Sequence, residues 1–403
     1  MLIKTNSSFR NLFFGRLLSV FADAMIFYAL LKWIELQSGS SDSLTLFFIA
    51  YYIPFAILGI PVGSWIEGRT LQKVMIVSDA LRVVILCIFP IILYVAPYHW
   101  AYLLLFLLSA LQLFFIPANQ ALLPSIVSTE ERAKANSLFQ MGFTVTKIIG
   151  QISTTLLIKL LFPIPVLLFI AAGLLVLSLL FIRAVRPYSK NNQVIRRGKL
   201  QMIKDGLLYV WSHSTFKTLF TFLTLAMFVA TSVDLVLLSF LTNVLHVGVE
   251  NLSFIGAASL MGILLGAYMA PKFYPKLDRK WLLIPPLFAL GSSVGGLLFI
   301  TNWQWILPFF FLQGIALGGF NVTLVTYLQD EVHNDYYTRT FSLYQMITTS
   351  VALPGIVITG LLLREIETIH TIQVMTGILF VLGIIGCFVF PQLGKGAAKS
   401  ATS

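Results

Sequence analysis

Two carboxylates stand where a membrane would make them costly. Asp23 lies in NLFFGRLLSVFADAMIFYALLKW and Asp234 lies in FVATSVDLVLLSF. Each falls in the first long apolar run of one half of the chain. Setting Leu30–Leu31 against Leu237–Leu238 puts the two acids about one helical turn apart. No lipid-facing position tolerates an acid well, so both are expected to face a central cavity. A carboxyl in such a cavity can take a proton from one side and release it to the other, or recognise a cationic substrate. Lys147, ten residues into its run, is expected to meet an acid or an anionic group across that cavity. Gln112, Asn119, Gln140, Asn321 and Gln345 are the remaining polar candidates for substrate or interhelical contact. Lys32 lies nine residues after Asp23, about half a turn round a helix, and is not an obvious partner for it.

A second constellation lies in GSWIEGRTLQKVMIVSDALR, residues 63 to 82. Gly63 permits close helix approach, and Glu67, Arg69 and Lys73 crowd a short turn. Asp79 and Arg82 then fall one turn apart on a single helical face, where charges in lipid require pairing. Together with Lys134 and Arg339 they form a candidate cytoplasmic gate, whose ion pairs hold two halves closed on one side and break as the halves rock.

The elements that must position these residues are helices. Of the 403 residues, 58% are hydrophobic and 11% are charged, against about a quarter charged in soluble chains. Twelve apolar runs are each long enough to cross a bilayer: about 12–36, 44–66, 73–96, 99–122, 137–160, 163–184, 215–243, 251–272, 281–301, 303–327, 341–363 and 370–391. No alternating strand pattern appears, so helices are the way to satisfy the backbone in lipid. Lys and Arg gather at the N-terminus, in alternate loops, in the central segment and in the tail. The net charge of +11 therefore reads as a positive-inside imprint, with both termini cytoplasmic, and not as a nucleic-acid footprint. Cys87 and Cys387 are far apart in apolar runs and suggest neither disulfide nor metal site.

An internal repeat fixes the organisation. Leu123–Lys159 and Leu328–Arg364 align without gaps at an offset of 205, with eleven of 37 positions identical, among them Gln140/Gln345, Gly150/Gly355 and Thr154/Thr359. A repeat this long implies two structurally equivalent halves. The expected fold is therefore an all-α membrane protein of twelve transmembrane helices in two pseudo-symmetric six-helix bundles. Residues 1–184 form the first half, 185–214 a cytoplasmic linker with an amphipathic helix, 215–391 the second half and 392–403 a cytoplasmic tail. Gly262 and Gly266, four apart in span eight, and the cluster Gly314, Gly318 and Gly319 in span ten are expected to give close helix contacts.

The stretch from Gly63 resembles the signature between spans two and three of the major facilitator superfamily. That pattern is Gly, an apolar pair, Asp, Arg, then Arg and Lys. VMIVSDALR resembles the version in the drug-efflux subgroup that includes bacterial macrolide exporters. The first span, with Gly15, Arg16 and Asp23 in place, resembles that subgroup too, as do PANQALLPSIV with AKANSL, DGLLYVWSH, and LQDEV through RTFSLYQM. The chain departs at Glu67, Gly68 and Leu71, where the family has Asp, Arg and Arg, and span five lacks the proline of the family's exporter signature.

The resemblance implies a secondary transporter in a bacterial cell membrane, exporting hydrophobic or amphipathic compounds by proton-coupled alternating access. Its partners would be that substrate, protons and membrane lipid, with no nucleic acid, no cofactor and a monomeric state. Rival readings are transport of lysophospholipid or siderophore on the same fold, and a transport-inactive membrane sensor. No phosphate-cradling loop, nucleophile triad or zinc-like spacing is present, so an enzyme is not expected.

Overall fold

Unbroken apolar runs leave the backbone no partners but its own, and the chain answers with helices. The computed structural model describes residues 2–38, 41–66, 69–95, 97–128, 131–186, 208, 211–273, 283–331, 340, 344, 347–348 and 351–389. Among the described residues there are helices and no strands. Among the described residues nine helices are long and apolar enough to cross a membrane, and Asp42–Leu58 and Pro285–Phe299 are shorter apolar helices. The eleventh run carries the helix Ala352–Glu365. The protein is thus an all-α membrane protein with twelve apolar helical segments in the expected order.

The chain divides into two units, Met1–Arg196 and Arg197–Ser403. The first holds α1 (Ser7–Ser38), α2 (Ser41–Ile66), α3 (Leu71–Val95), α4 (Trp100–Leu122), α5 (Arg132–Lys159) and α6 (Ile164–Arg183). In α1, 67% of the apolar window is buried, against 33% in α6, so α1 is an inner helix and α6 an outer one. It packs on α5 and α6, while α3 packs on α4 and α6. The outer face of α3 is a stripe of exposed Val77, Leu81, Val84, Ile88, Ile91 and Val95 at alternating four- and three-residue spacing. Such a stripe is at home in lipid rather than water. At the other end of α1, Lys32 Nζ pairs with Glu35 at 2.7 Å, not with Asp23.

The second unit holds α7 (Ser214–Ala230), α8 (Val233–Ser239), α9 (Leu252–Phe273), α10 (Pro285–Gly296), α11 (Ile306–Glu331), α12 (Ala352–Glu365) and α13 (Glu367–Val389). The sequence expects one continuous span over 215–243; the structure breaks it at Thr231–Ser232 and ends it in a π turn, Phe240–Val244. Both hydroxyls at the break donate back to the Phe228 carbonyl, Thr231 at 3.4 Å and Ser232 at 3.2 Å. This back-bonding competes with the helical ladder. α9 and α11 meet backbone to backbone. A Cβ on Gly262 would strike the Phe311 carbonyl, one on Gly266 the Ile315 carbonyl, one on Gly314 the Ser259 carbonyl, and one on Gly318 the Ile263 carbonyl.

The repeat has a structural meaning in each half separately. Gly150 of α5 lies against Ala24 and Phe21 of α1, and Gly355 of α12 lies against Phe228 and Ser232 at the end of α7. In both halves the repeated glycine lets the fifth segment approach the first. The repeated Thr154 and Thr359 are both buried.

Candidate functional site

Asp23, Asp79 and Arg82 come together inside the N-terminal bundle. α1 carries Asp23, α3 carries Asp79 and Arg82, α4 carries Gln112, and α6 carries Ser178. Arg82 Nη2 donates to Asp23 Oδ1, and Arg82 Nη1 donates to Asp79 Oδ1 at 3.1 Å and to Ser19 Oγ at 3.5 Å. Gln112 Nε2 donates to Asp23 Oδ2 at 2.7 Å, and Ser178 Oγ donates to Asp79 Oδ2 at 3.0 Å. All four carboxylate oxygens therefore have a donor, as charges taken out of water require.

The two acids differ in access. Asp79 is fully buried and Arg82 is 2% exposed, whereas the Asp23 side chain keeps 17% of its surface. Asp23 also lines a cavity of about 20 Å³ with Tyr51, Arg82, Ser109, Gln112 and the apolar Ile26, Phe27, Leu105 and Leu108. That is room for about one water molecule among several polar groups. Asp79 is thus sealed against the guanidinium, and Asp23 borders the cavity.

Arg16 completes the charge balance. It is 6% exposed, and its guanidinium carbon lies 5.2 Å from the Phe115 ring centre and 5.6 Å from that of Phe143. Those distances suit cation–π attraction. Arg16 and Arg82 thus balance Asp23 and Asp79 among the described residues of this cluster. Arg16, Ser19 and Asp23 follow one another at three- and four-residue spacing on one face of α1. Arg16 stands ten positions into α1, with its guanidinium caged by aromatic rings. Its spacing from Asp23 is the signal that would have found it. Ser19 and Ser178 carry no such signal, since serine in a membrane helix is common.

Asp79 and Arg82 lie within α3 rather than at its start. They stand eight and eleven residues beyond the start of α3, about 12 and 16 Å along the axis. Their hydrogen-bond partners are all in the N-terminal bundle. The other candidates are not gathered there. Asp234 is exposed in the first turn of α8, where the positive end of a helix favours an acid. Lys147 and Asn321 are half-buried and Gln140 is exposed. Asn119 is buried, and its Oδ1 has no hydrogen-bond partner among the described residues. Arg69 and Lys73 are exposed. Gly63 lies near the end of α2, and Lys134 falls in the first turn of α5. Glu67, Arg339 and Gln345 lie outside the described residues.

A family model, the Major Facilitator Superfamily, matches residues 12–356 and again 235–402. The chain belongs to the major facilitator superfamily. Among curated superfamily relatives, the transporter YvqJ of Bacillus subtilis strain 168 is 25% identical over 96% of this chain and 93% of its own. Macrolide efflux protein A of Streptococcus pyogenes is 22% identical over 96% of both chains. The likeness to a drug-efflux protein drawn from VMIVSDALR and the first span is therefore found along nearly the whole length. Solved superfamily structures share the fold: a mutant form of the nucleoside transporter NupG has a TM-score of 0.75 at 14% identity, covering 95% of this chain and all of its own. A bacterial homologue of the human lysosomal transporter Spinster has a TM-score of 0.72 at 14% identity, covering 98% of this chain.

Proposed function

We propose that this superfamily member is a secondary active transporter that exports hydrophobic or amphipathic compounds in exchange for protons, with both termini in the cytoplasm of a bacterium. The observation that supports this reading is the reachable Asp23 tied to a sealed Arg82–Asp79 pair. Membership of a transporter family and the similarity to a macrolide efflux protein support the transport class and the direction.

The chemistry follows from the hydrogen bonds. With Asp23 ionised, Arg82 links α1 to α3. A proton delivered to Asp23 removes one of the two carboxylates that hold Arg82, and the guanidinium stays with Asp79 on its own helix. The α1–α3 tie then loosens, and release of the proton remakes it. Inward- and outward-open states that differ by only a few kcal/mol are biased by such a change. Gln112 keeps a hydrogen bond to Asp23 in either state, because its amide can donate or accept.

Substrate binding should therefore depend on pH through Asp23. Purified protein titrated with a panel of lipophilic compounds across a pH series is expected to bind the transported one more weakly as Asp23 gains its proton. Asp23→Asn should flatten that dependence, and Asp234→Asn should leave it in place. An unchanged profile in Asp23→Asn would remove this carboxyl from the coupling role.

A further inference from the structure

A second site lies on the same bundle, away from the network. The start of α3 and the facing side of α4 enclose a cavity of about 460 Å³ lined by Arg69, Thr70, Lys73, Val74, Val77, Ser78, Leu81, Leu111 and Phe114. It has two chemistries in order. Arg69, Thr70 and Lys73 form one end, and everything beyond is apolar except Ser78, whose hydroxyl is already used on the Leu111 carbonyl at 2.7 Å. Lys73 heads the exposed apolar stripe of α3, followed at four-residue intervals by Val77 and Leu81. The groove therefore opens on the face that meets lipid. Gln72 fixes the rim by donating to the carbonyls of Ile182 and Val185, both at 2.8 Å, at the end of α6.

We infer that this groove holds an anionic phospholipid, its phosphate between Arg69 and Lys73 and one acyl chain along Val77, Leu81 and Phe114. Three observations favour a lipid. The volume lies in the range of ligand sites. From residue 70 to 81 the helix rises about 16 Å, roughly half of the hydrocarbon thickness and hence one leaflet. The loop charges put this end at the cytoplasmic surface, where basic residues between helices meet anionic headgroups. The departures at Glu67, Gly68 and Leu71 leave Arg69 and Lys73 as the basic residues of this turn, and in this groove their role is to recruit lipid.

The test is native mass spectrometry of the delipidated full-length protein, titrated with phosphatidylglycerol, with phosphatidylcholine of the same chains, and with glycerol phosphate. Phosphatidylglycerol is expected to bind about 30-fold more tightly than phosphatidylcholine, the effect of two basic residues at a membrane surface. Arg69→Gln with Lys73→Gln should erase that preference. Leu81→Trp, which fills the groove and leaves both charges, should weaken retention of either lipid. Glycerol phosphate should not displace the lipid. Equal binding of the two lipids, a preference that survives loss of both basic residues, or displacement by glycerol phosphate with Leu81→Trp without effect would overturn the assignment, the last in favour of a soluble-anion site.

Discussion

Arg82→Gln is expected to destabilise the protein by about 3–5 kcal/mol, the cost of leaving a buried ion pair without one partner. Two carboxylates depend on this guanidinium. Among the described residues, fully buried Asp79 otherwise accepts from Ser178 and Asp23 otherwise accepts from Gln112. The charge count makes the prediction specific. The described cluster holds two acids, Asp23 and Asp79, and two guanidiniums, Arg16 and Arg82, so Arg82→Gln leaves it one negative charge in excess. Adding Asp23→Asn restores neutrality, so the double variant should recover part of the lost stability. The measurement is the unfolding midpoint in mild detergent for wild type, both single variants and the double variant, read as a double-mutant cycle. A double variant no more stable than Arg82→Gln would mean that Asp23 is not the partner the structure gives it.

Gly266→Ala should be strongly damaging, while Gly319→Ala is tolerated. The added Cβ at position 266 meets the Ile315 carbonyl and the Gly319 amide nitrogen, backbone atoms that no rotamer change can move. α9 and α11 must then separate along their contact, losing the close packing that substitutes for a hydrophobic drive between helices in lipid. Overpacking of a side-chain core costs about 1–3 kcal/mol, and a backbone collision lies at or above the top of that range. At Gly319 a Cβ finds nothing within 4 Å, so the variant should be neutral or gain up to about 1 kcal/mol of helix propensity. Yield of monodisperse protein on size exclusion and the unfolding midpoint separate the two. Equal behaviour of the two variants would contradict the packing described for this pair.

How far the sequence carries depends on the range of the interaction. The repeat at offset 205 marks Gly150 and Gly355, and each turns out to seat its segment on the first helix of its own half. That was legible because a glycine required by backbone contact keeps its place when the half is duplicated. Gly262 and Gly266 were legible for the same reason of spacing. Asp23 stood out because an acid in an apolar run needs a reason to be there. Its partner did not, since Arg82 is 59 residues away and its spacing from Asp79 already offered a local mate. Which helices touch is decided by packing that one sequence does not display. The break at Thr231–Ser232 was hidden for a different reason. Apolar content runs straight through it, and the two hydroxyls that divert the ladder are indistinguishable in sequence from those, such as Thr224, that bond back within an unbroken helix.

On the proposed reading, the network in the N-terminal bundle converts one proton into one change of helix contact, and the acids in the first span of each half, Asp23 and Asp234, are not equivalent. Asp23 lies in a donor-saturated network beside a water-sized cavity; Asp234 is an exposed acid at the start of a helix. The most direct measurement is proton movement in proteoliposomes carrying an internal pH dye. A proton gradient is imposed, a panel of lipophilic compounds is added, and wild type, Asp23→Asn and Asp234→Asn are compared. Substrate-induced proton flux is expected in wild type and Asp234→Asn, and none in Asp23→Asn, if Asp23 is the proton carrier. Flux that persists in Asp23→Asn and disappears in Asp234→Asn would contradict it, and so would a folded wild type that moves no protons with any compound.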